Sequence, residues 1–532
     1  MSLTSCKKKE LKDDIYIFFT SDVHCGVNEG MGLDGLKALV DETKSAHDYV
    51  TLVDCGDFVQ GAAIGTLSKG ELIVDLMNAA GYDIATFGNH EFDYGMSQLS
   101  VLMDRMEFET VLCNAEYTGK KENIFADVKP YTVKDYDGHK VAFIGVLTPL
   151  TITGSTPGYF MEDGGFVYGF CAGEDGDVLA ARLQETVDAA RKEGADHVVV
   201  LSHLGTYGNV YDAVSMIAKT NGIDAVLDGH SHSLIVEDRY PNKDGQDVVL
   251  SSVGANLQTV GELIIGKDGS ITALHVDAYD KKDEAMTAKI LESFGKLDAI
   301  LDQTVTTLDH DLPIADEEGI RMVRSRETVM SDLVADAYRQ AMGTQIALVN
   351  GGAVRAGLHE GEAKYSDFFS VVPFQNELAS LYASGQQIID ALEFSARKTE
   401  GLYKFDGNVV GENGAFLHPS GLKYTVDTSI PSAVVLNDEG MFEGFDGEQR
   451  RVKDVLVEEE GIYVPIDPDK LYSVASINYV LFEKGDGNTA FEGCEAIVEH
   501  GLIDVNALID YVRSLGSLAD RYTAAEGRIT VE

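Results

Sequence analysis

The stretch IYIFFTSDVH, residues 15–24, runs from a series of β-branched and aromatic residues into a polar turn that carries Asp22 and His24. Four later apolar runs also end in short polar clusters, which are Gly56-Asp57, Gly88-Asn89-His90-Glu91, Ser202-His203 and Gly229-His230-Ser231-His232. Each cluster should lie in a loop just past a strand end, and such loops can converge at one edge of a sheet. Their oxygen and nitrogen ligands match what a pair of divalent cations requires to hydrolyse a phosphate ester. The sequence therefore predicts a two-metal phosphoesterase.

The pattern of apolar residues predicts two domains. Residues 14–282, after a flexible segment over residues 1–13, alternate short strand-like runs such as 84–87 with helical stretches such as 33–46, 73–80 and 178–193. This alternation is typical of a layered α/β domain. Apolar residues at helical spacing from Met286 to Leu301 predict one amphipathic helix over 283–304, which either links two lobes or packs on the first domain. Residues 305–532 mix helix and strand patterns and predict a second, α+β domain.

Length and charge narrow the class of protein. A chain of 532 residues is too long for one compact core, and a formal net charge of -46 argues against polymeric nucleic acid as a partner. An anionic substrate must therefore be attracted by local positive charge, from metals or from a few arginines. The six cysteines lack the CxxC spacing of zinc or redox motifs. We interpret Cys25 and Cys55, which lie near the polar clusters, as packing residues.

The N-terminus MSLTSCKKKE contains a short motif of its own. Residues Leu3 to Cys6 resemble the end of a bacterial lipobox, so one hypothesis is a lipid anchor at Cys6 in a chain whose signal peptide is absent from this sequence. The alternative is a vector-derived or disordered terminus.

The order of the clusters, D-x-H, GD, GNH(E/D), H and GHxH, resembles the signature of calcineurin-like metallophosphoesterases. The strings SDVH (21–24) and GNHEFD (88–93) are similar to its 5′-nucleotidase branch, and NGGAVR (350–355), residues 365–393 and GDG (485–487) resemble the C-terminal 5′-nucleotidase domain. The resemblance covers residues 14–531. It implies an N-terminal layered αββα sandwich joined by a helix to a C-terminal α+β substrate-binding domain. It also implies hydrolysis of nucleoside 5′-monophosphates to nucleoside and phosphate by a metal-bound hydroxide.

The resemblance also implies roles for the polar clusters. One metal would be held by Asp22, His24, Asp57 and His232, and the other by Asp57, Asn89, His203 and His230, with Asp57 bridging. The mixture of oxygen and nitrogen donors suits Mn, Zn, Co or Fe better than Ca or Mg. His90, oriented by Asp93, would face the phosphate and assist the reaction as an acid or a transition-state stabiliser. The alternative is that His90 only braces its loop.

In the second domain the resemblance implies a substrate site. The turn that begins at Asn350 suits a phosphate, and Arg355 and Arg397 would contact the phosphate, Phe416 and Tyr479 would sandwich the base, and Asp486 would position the nucleoside. The string NYVLFEKGDG, residues 478–487, is one residue longer than the family pattern, so Phe482 could replace Tyr479. For Phe416 and Tyr479 the alternative is an ordinary packing role.

Several functional alternatives stay open at this point. Within the family they are a 2′,3′-cyclic-nucleotide phosphodiesterase/3′-nucleotidase and a UDP-sugar or dinucleotide pyrophosphatase, and within the superfamily a sulfur-ester hydrolase. From another class, the alternative is a catalytically decayed nucleotide-binding surface protein. The resemblance and the hypothesis of a lipobox predict a bacterial, extracytoplasmic protein that is periplasmic, secreted or lipid-anchored. The sequence does not determine the preferred nucleotide, the metal or the oligomeric state.

Overall fold

The structure of the chain is a computed structural model. It describes residues 11–162, 165–399, 403–405, 408–410, 412–498 and 502–532. The chain divides into two compact units, of which the first comprises Met1–Ser155 and Tyr159–Lys296 and the second comprises Thr156–Gly158 and Leu297–Glu532. Cys6, the hypothetical lipid-anchor site, lies outside the described residues.

The first unit contains two large sheets and several helices. Its strands are β1 (Ile15–Thr20), β2 (Tyr49–Asp54), β3 (Ile84–Ala85), β4 (Glu109–Thr110), β5 (Glu116–Tyr117), β6 (Tyr131–Tyr136), β7 (His139–Leu147), β8 (Met161–Glu162), β9 (Gly165–Phe166), β10 (Tyr168–Gly169), β11 (His197–His203), β12 (Ala225–Asp228), β13 (Leu234–Pro241), β14 (Asp247–Val253), β15 (Val260–Ile265) and β16 (Ile271–Val276). Its α-helices are α1 (Gly32–Ala46), α2 (Ala63–Ser68), α3 (Glu71–Ala80), α4 (Met96–Arg105), α5 (Thr151–Gly154), α6 (Asp177–Glu193), α7 (Ala213–Lys219) and α8 (Glu284–Gly295).

The two sheets place the polar clusters at the carboxyl ends of parallel strands. One sheet has the order β16-β15-β1-β2-β3-β4 and the other has the order β13-β14-β12-β11-β7-β6. Strands β1 to β4 pair in parallel, as do β7, β11, β12 and β14, whereas the edge pairs β15–β16, β13–β14 and β6–β7 are antiparallel. The residues that follow β1, β2, β3 and β12, and the last residue of β11, carry the five polar clusters.

Burial of both faces of each sheet explains the near-continuous apolar strands. Ile17 of β1 and Phe143 of β7 belong to one buried cluster between the sheets, while Ile144, the next residue of β7, packs with Leu183 and Val187 of α6 on the other side. Helix α1 packs on β2, and α3 packs on α1. The layers are helix, sheet, sheet and helix, which confirms the predicted αββα sandwich.

The second unit is α+β, also as predicted. Its α-helices are α9 (Asp298–Leu301), α10 (Val329–Met342), α11 (Tyr365–Val371), α12 (Gly385–Ser395), α13 (Asn478–Leu481) and α14 (Asp504–Leu515). Its strands are β17 (Thr304–Leu308), β18 (Ile346–Asn350), β19 (Gly361–Lys364), β20 (Leu378–Ser384), β21 (Tyr403–Phe405), β22 (Asn408–Val410), β23 (Leu417–Ser420), β24 (Leu422–Val426), β25 (Val434–Leu436), β26 (Phe442–Phe445), β27 (Val452–Glu459), β28 (Ile462–Pro465), β29 (Leu471–Ile477), β30 (Glu495–Val498) and β31 (Ile529–Val531). In the two units together, the short 3-10 helices cover Asn89–Phe92, Pro157–Phe160, Met322–Arg324, Ala396–Lys398 and Gly485–Gly487.

Helix α10 anchors the main sheet of the second unit. That sheet has the order β23-β18-β29-β20-β30, and a second sheet has the order β28-β27-β24-β31. The side chain of Thr328 accepts the backbone N–H of Ser331 and so caps the start of α10. The helix ends at Gly343, which is left-handed with φ 63°. The buried face of α10, which includes Leu333 and Tyr338, packs against β18, β20 and β29.

Some predicted element boundaries were wrong. The segment 283–304 is two helices, α8 and α9, and not one; α8 ends at Gly295, a poor helix former, and packs on α1 and α3. The predicted strand over 84–87 stops at Ala85, because Phe87 belongs to an aromatic cluster beneath the loop that carries Asn89. Among the described helices, none is both long enough and apolar enough to cross a bilayer.

The two sheets of the first unit approach closely at Gly145 in β7. A Cβ built at this glycine would lie 1.9 Å from the carbonyl oxygen of Val111. Gly145→Ala should therefore lower the free energy of unfolding by about 1–3 kcal/mol, measured by urea denaturation. Gly169→Ala in β10 is the matched control, because its Cβ would meet its nearest atom at an ordinary 3.5 Å. Equal losses in the two variants would contradict this explanation.

Candidate metal centre and substrate site

Two clusters of ligand atoms form in the first unit. Asp22, His24 and His232 make one group and Asp57, His203 and His230 make the other, and within each group the ligand atoms lie within 4.8 Å of one another. Four of the five sequence clusters therefore converge in these groups, although they are spread over more than 200 residues of the chain. The fifth lies beside them, because the backbone N–H of His90 donates to Asp57 Oδ1.

The carboxylate of Asp57 lies between the two groups. Its Oδ2 is 3.1 Å from His203 Nε2 in its own group and 3.9 Å from His24 Nε2 in the other. Its Oδ1 accepts the backbone N–H of His90 at 2.8 Å. A single carboxylate oxygen that faces imidazoles of both groups has the position expected of a bridging ligand.

Hydrogen bonds to backbone carbonyls orient two of the imidazoles. His203 Nδ1 lies 2.7 Å from the carbonyl oxygen of Cys55, and His24 Nδ1 lies 3.0 Å from that of Gln60. Because a carbonyl oxygen only accepts, Nδ1 carries a proton in each ring, and Nε2 is the nitrogen that faces the cluster. The Nε2 atoms of His24 and His232, which belong to the same ligand group, lie 3.0 Å apart.

The residues fit a pair of divalent cations. Asn89 Oδ1 is buried and has no hydrogen-bond partner in the described part of the chain, while the Asn89 Nδ2 donates to the carbonyl oxygen of Gly154 at 3.4 Å. An orphaned buried carbonyl oxygen costs free energy unless something coordinates it. The clusters otherwise combine imidazole nitrogens with carboxylate oxygens, a donor set that suits borderline divalent metals.

The backbone around the ligands is strained. Asp22, His24, Asp57, His230 and His232, five of the seven predicted ligands, have φ between 45° and 72°. Left-handed conformations are uncommon for residues other than glycine and concentrate at functional sites. The approach is also tight, since a Cβ at Gly88 would lie 2.1 Å from Asp57 Oδ1. The loops are therefore held in place against their local preference.

Charge interactions within the cluster are strong. Burial raises the pKa of Asp22 to about 7 and lowers the pKa of His230 to about 3. Burial opposes the charged forms of His203 and Asp57 too, but their mutual attraction wins. The attraction between His203 and Asp57 raises the pKa of His203 to about 10. Together with the charge of His90, the same attraction holds the pKa of Asp57 well below its usual range.

His90 and Asp93 lie beside the clusters and belong to neither group. His90 Nδ1 is 2.6 Å from Asp93 Oδ2, and Asp93 Oδ1 accepts the hydroxyl of Ser155 at 3.2 Å. The His90 ring lies edge-on to the ring of His24, with a centroid distance of 5.4 Å. This is the pairing of an imidazole with an orienting carboxylate that the sequence predicts for a general acid.

Sequence reasoning missed a layer of buried carboxylates behind the ligands. Glu91 accepts backbone N–H groups from two ligand loops, Asp54 accepts that of Gly56, and Asp228 accepts that of Leu204. Asp54 and Asp228 end β2 and β12, and acidic residues at the ends of buried strands are the signal that could have found them. They fix the course of the loops.

Tyr207 is a second missed residue of the first unit. It is 56% exposed, and its hydroxyl donates to the carbonyl oxygen of His230 at 3.0 Å. Its ring lies edge-on to the ring of His230 at 5.4 Å. An exposed aromatic ring therefore borders the metal cluster.

The second unit gathers polar groups around Asp486, which has φ 55°. Asn350 Nδ2 donates to Asp486 Oδ2 at 3.2 Å, and Arg397 Nη2 donates to the Asp486 carbonyl oxygen at 3.3 Å. The hydroxyl of Tyr479 accepts the Asp486 backbone N–H at 2.9 Å. Among the residues that the structure describes, Asn350 Oδ1 and Arg397 Nε are buried without hydrogen-bond partners. Four of the predicted substrate-binding residues are thus neighbours.

Arg324 joins this group, although the sequence did not single it out. A Cβ built at Gly414 would lie 2.8 Å from Arg324 Nη1 and 3.1 Å from Asp486 Oδ1. The Arg324 side chain is only 7% exposed, its Nε has no partner, and no ion pair of this arginine occurs among the described residues. Burial, reinforced by Arg321, lowers its pKa to about 10. A buried guanidinium that keeps an unpartnered N–H is suited to an anionic ligand.

Two predicted substrate contacts lie apart from this group. The Phe416 side chain is 0% exposed and packs edge-on to His418 at 5.3 Å, so its ring offers no open face to a base. The prediction that Phe416 stacks on the base is not supported by this arrangement, because core packing occupies the ring. The Arg355 guanidinium lies 5.7 Å from the centre of the Phe374 ring. Tyr479 lies against Gly485 and the Asp486 turn, and its choice over Phe482 stays a prediction.

Models of known protein families match both halves of the chain. The calcineurin-like phosphoesterase model matches residues 15–234, and the model of the 5′-nucleotidase C-terminal domain matches residues 304–493. The chain belongs to the 5′-nucleotidase family. The calcineurin-like domain implies divalent metal ions, and the two ligand groups are where this family member would hold them.

Individual relatives are distant but cover nearly the whole chain. The chain is 26% identical over 97% of its length to the trifunctional nucleotide phosphoesterase protein YfkN of Bacillus subtilis, of which it spans only 35%. It is 25% identical over 97% of its length to the 5′-nucleotidase of Bos taurus and spans 90% of that protein. The crystal structure of a 5′-nucleotidase precursor from Thermus thermophilus superposes with a TM-score of 0.78 at 25% identity, covering 97% of this chain and 99% of that one.

His90→Asn should lower turnover by about 10²–10⁴-fold and leave the bound metal unchanged, because His90 belongs to neither ligand group. The measurements are kcat for a nucleoside 5′-monophosphate and the metal content of the same samples. His359→Asn is the control, since that histidine is 91% exposed. Unchanged turnover in His90→Asn would leave the residue only a bracing role.

Arg324→Met should raise KM for nucleotides by about 10–100-fold, because a charge-assisted hydrogen bond contributes about 1.5–3 kcal/mol. Initial rates over a range of substrate concentrations provide the measurement. The control is Arg321→Met, whose guanidinium is already engaged by Glu412. Equal increases in KM for the two variants would argue for a general charge effect and against a contact made by Arg324.

Proposed function

We propose that the protein hydrolyses nucleoside 5′-monophosphates to nucleoside and phosphate at a centre of two divalent cations in the first unit. The observation that carries the proposal is the pair of ligand groups on either side of Asp57 Oδ2. This is the chemistry of a phosphoric monoester hydrolase, in agreement with the family to which the chain belongs.

One cation would be held by Asp22, His24, Asp57 and His232. The other would be held by Asp57, Asn89, His203 and His230. When bound, such a pair supplies Lewis acidity and activates a water molecule as the nucleophile. The donor set suits Mn, Zn, Co or Fe.

The residues of the chain supply orientation and a proton. Asp93 fixes the His90 ring with the proton on Nδ1, through the contact of 2.6 Å. His90, once protonated, is suited to stabilise the phosphoryl oxygens or to protonate the leaving alkoxide at Nε2. Asp93 acts through His90 and so positions it.

The nucleotide would be recognised by the second unit. The guanidinium groups of Arg324 and Arg397 adjoin Asp486 and provide local positive charge in a chain whose net charge is -46. Asp486 and Asn350 offer the carboxylate and amide that suit ribose hydroxyls, and Tyr479 offers an aromatic ring to the base. Arg355 stays a predicted phosphate contact.

A second candidate is hydrolysis of other phosphate esters of nucleosides. The relative in Bacillus subtilis is named a trifunctional nucleotide phosphoesterase and is similar over 97% of this chain. That similarity favours a 2′,3′-cyclic-nucleotide phosphodiesterase/3′-nucleotidase or a UDP-sugar or dinucleotide pyrophosphatase as the alternative. A catalytically decayed nucleotide-binding surface protein is disfavoured, since a pure binder needs neither both ligand groups nor His90.

We also propose an extracytoplasmic location in a bacterium, with Cys6 as a lipid anchor. Relatives named snake venom 5′-nucleotidases support an extracytoplasmic location. Mass spectrometry of the protein isolated from its natural source should find a diacylglyceryl modification on Cys6. An unmodified thiol there would contradict the anchor and leave the enzymatic proposal intact.

The test of the activity is phosphate release from 5′-, 3′- and 2′,3′-cyclic nucleotides and from UDP-glucose. Chelator-treated protein reconstituted with Mn or Co should release phosphate chiefly from 5′-monophosphates. Asn89→Ala should abolish most of this release, because it removes the oxygen that lacks any other partner. Chelator-treated protein without added metal is the control.

The panel separates the alternatives. Preference for cyclic nucleotides or UDP-glucose would keep the metal chemistry and assign a different substrate. Metal-loaded protein that is silent on every substrate would refute the nucleotidase proposal.

A further inference from the structure

Glu91 is a fully buried carboxylate with an unusual set of partners. It is 0% exposed and lies two residues after Asn89. Its Oε2 accepts the backbone N–H of Asp57 at 2.8 Å and that of Gly88 at 2.6 Å. Its Oε1 accepts the backbone N–H groups of Phe58 and Val59 at 2.8 and 3.3 Å. Four amide donors thus converge on one side chain.

These donors come from two different ligand loops. Asp57 to Val59 follow β2 and include the shared ligand, whereas Gly88 precedes Asn89 and His90 in the loop after β3. The backbone hydrogen bonds between these two segments end with that from the Thr86 N–H to the Asp54 carbonyl oxygen, so the ladder does not extend to the ligands in the loops. Beyond that point the Glu91 carboxylate is the bridge that ties one loop to the other.

The backbone conformation of the two loops is strained, so hydrogen bonds such as those of Glu91 are needed to maintain it. Asp57 has φ 62°, and a Cβ at Gly88 would lie 2.1 Å from Asp57 Oδ1. His90 adds a second link, because its backbone N–H donates to Asp57 Oδ1. Without Glu91, this link and a hydrogen bond of 3.4 Å from the Tyr94 hydroxyl to the Val59 carbonyl oxygen are what the described residues keep between the two loops.

We propose that Glu91 is a positioning residue that sets the cation site of Asp57, Asn89, His203 and His230, an inference that rests on the proposed two-metal function. Glu91 touches no ligand side chain through its carboxylate and acts through the backbone of the loops. The site of Asp22, His24 and His232 depends on other loops for those three ligands. Because the other site shares only Asp57 with these loops, loss of Glu91 weakens the site of Asp57, Asn89, His203 and His230 more than the other site.

Only a carboxylate satisfies this arrangement. Each of the two Glu91 oxygens accepts two N–H groups, and a carboxylate has enough lone pairs for all four hydrogen bonds. An amide of the same shape offers one accepting oxygen and one NH₂ group. Whichever way it turns, the NH₂ group faces two backbone donors and leaves them unsatisfied. Glu91→Gln is therefore a nearly isosteric substitution that removes the tie.

The chain offers a matched control in the second unit. Glu393 is 1% exposed, and its carboxylate accepts the backbone N–H groups of Arg451 and Val452 at 3.0 and 2.8 Å. Glu393→Gln removes a buried carboxylate that also bonds to amides, far along the sequence from every predicted metal ligand. It should reproduce a cost in folding stability without an effect on the metals.

The experiment is titration of chelator-treated protein with Mn²⁺, followed by calorimetry and by electron paramagnetic resonance. Wild type and Glu393→Gln should bind two ions and show the spectrum of a spin-coupled pair. Glu91→Gln should bind one ion about 10–100-fold more weakly and the other with a clearly smaller loss of affinity, since the other site shares only Asp57. With one to two equivalents of Mn²⁺ per protein, the spectrum of Glu91→Gln should be that of isolated Mn²⁺ ions. The same spectrum is expected for Asn89→Ala.

Two intact sites with a coupled spectrum in Glu91→Gln would overturn the proposal, as would equal weakening of both sites. Circular dichroism establishes that each variant is folded. If Glu91→Gln does not fold, Glu91→Asp decides, because it keeps the charge but is one methylene too short to reach both loops. Glu91→Asp should also weaken one site, and wild-type binding by this variant would refute the inference. A wild-type protein that binds two Mn²⁺ but hydrolyses no nucleotide would refute the proposed function alone.

Discussion

The carboxylate of Asp57 is the point on which the first unit depends. One carboxylate oxygen accepts a hydrogen bond from the backbone N–H of His90. The other faces His203 and His24, which belong to different ligand groups. This placement requires a left-handed Asp57 and close contact between loops from neighbouring strands. Such a conformation persists only when the surroundings over-determine it. The rigid sheets, the parallel strand ends and the buried Glu91 together meet that condition.

Buried charge is used differently in the two units. In the first unit, carboxylates and imidazoles are concentrated until burial and mutual interaction shift their pKa values, so that cations are the natural complement. In the second unit, Arg324 and Arg397 surround the single carboxylate of Asp486, so that an anion is the natural complement. A phosphate ester supplies the anion and requires the cations. Both arrangements occur in a chain whose overall charge would repel such a substrate.

Much of the fold and of the metal cluster could be predicted from local sequence. The runs that became β1 and β11 are apolar on both faces, and the polar residues after them had to leave the core. The prediction failed where tertiary packing gave apolar residues another use. Phe87 looked like a strand residue and instead packs beneath a loop. For Phe416 the sequence left base stacking and packing open, and the ring is buried against His418. Hydrophobicity alone does not distinguish these uses.

The sequence by itself determined which atoms are available, namely the oxygens and nitrogens of the five strand-end clusters and the layered α/β framework that brings such ends together. Only the tertiary structure decided which of those atoms share a cation, that Glu91 joins two loops, and that Arg324 belongs with Asp486. The physical reason is that periodicity and strand order constrain elements, which are local in the chain. Distances between loops depend on long-range backbone hydrogen bonds and close packing, which no local pattern encodes.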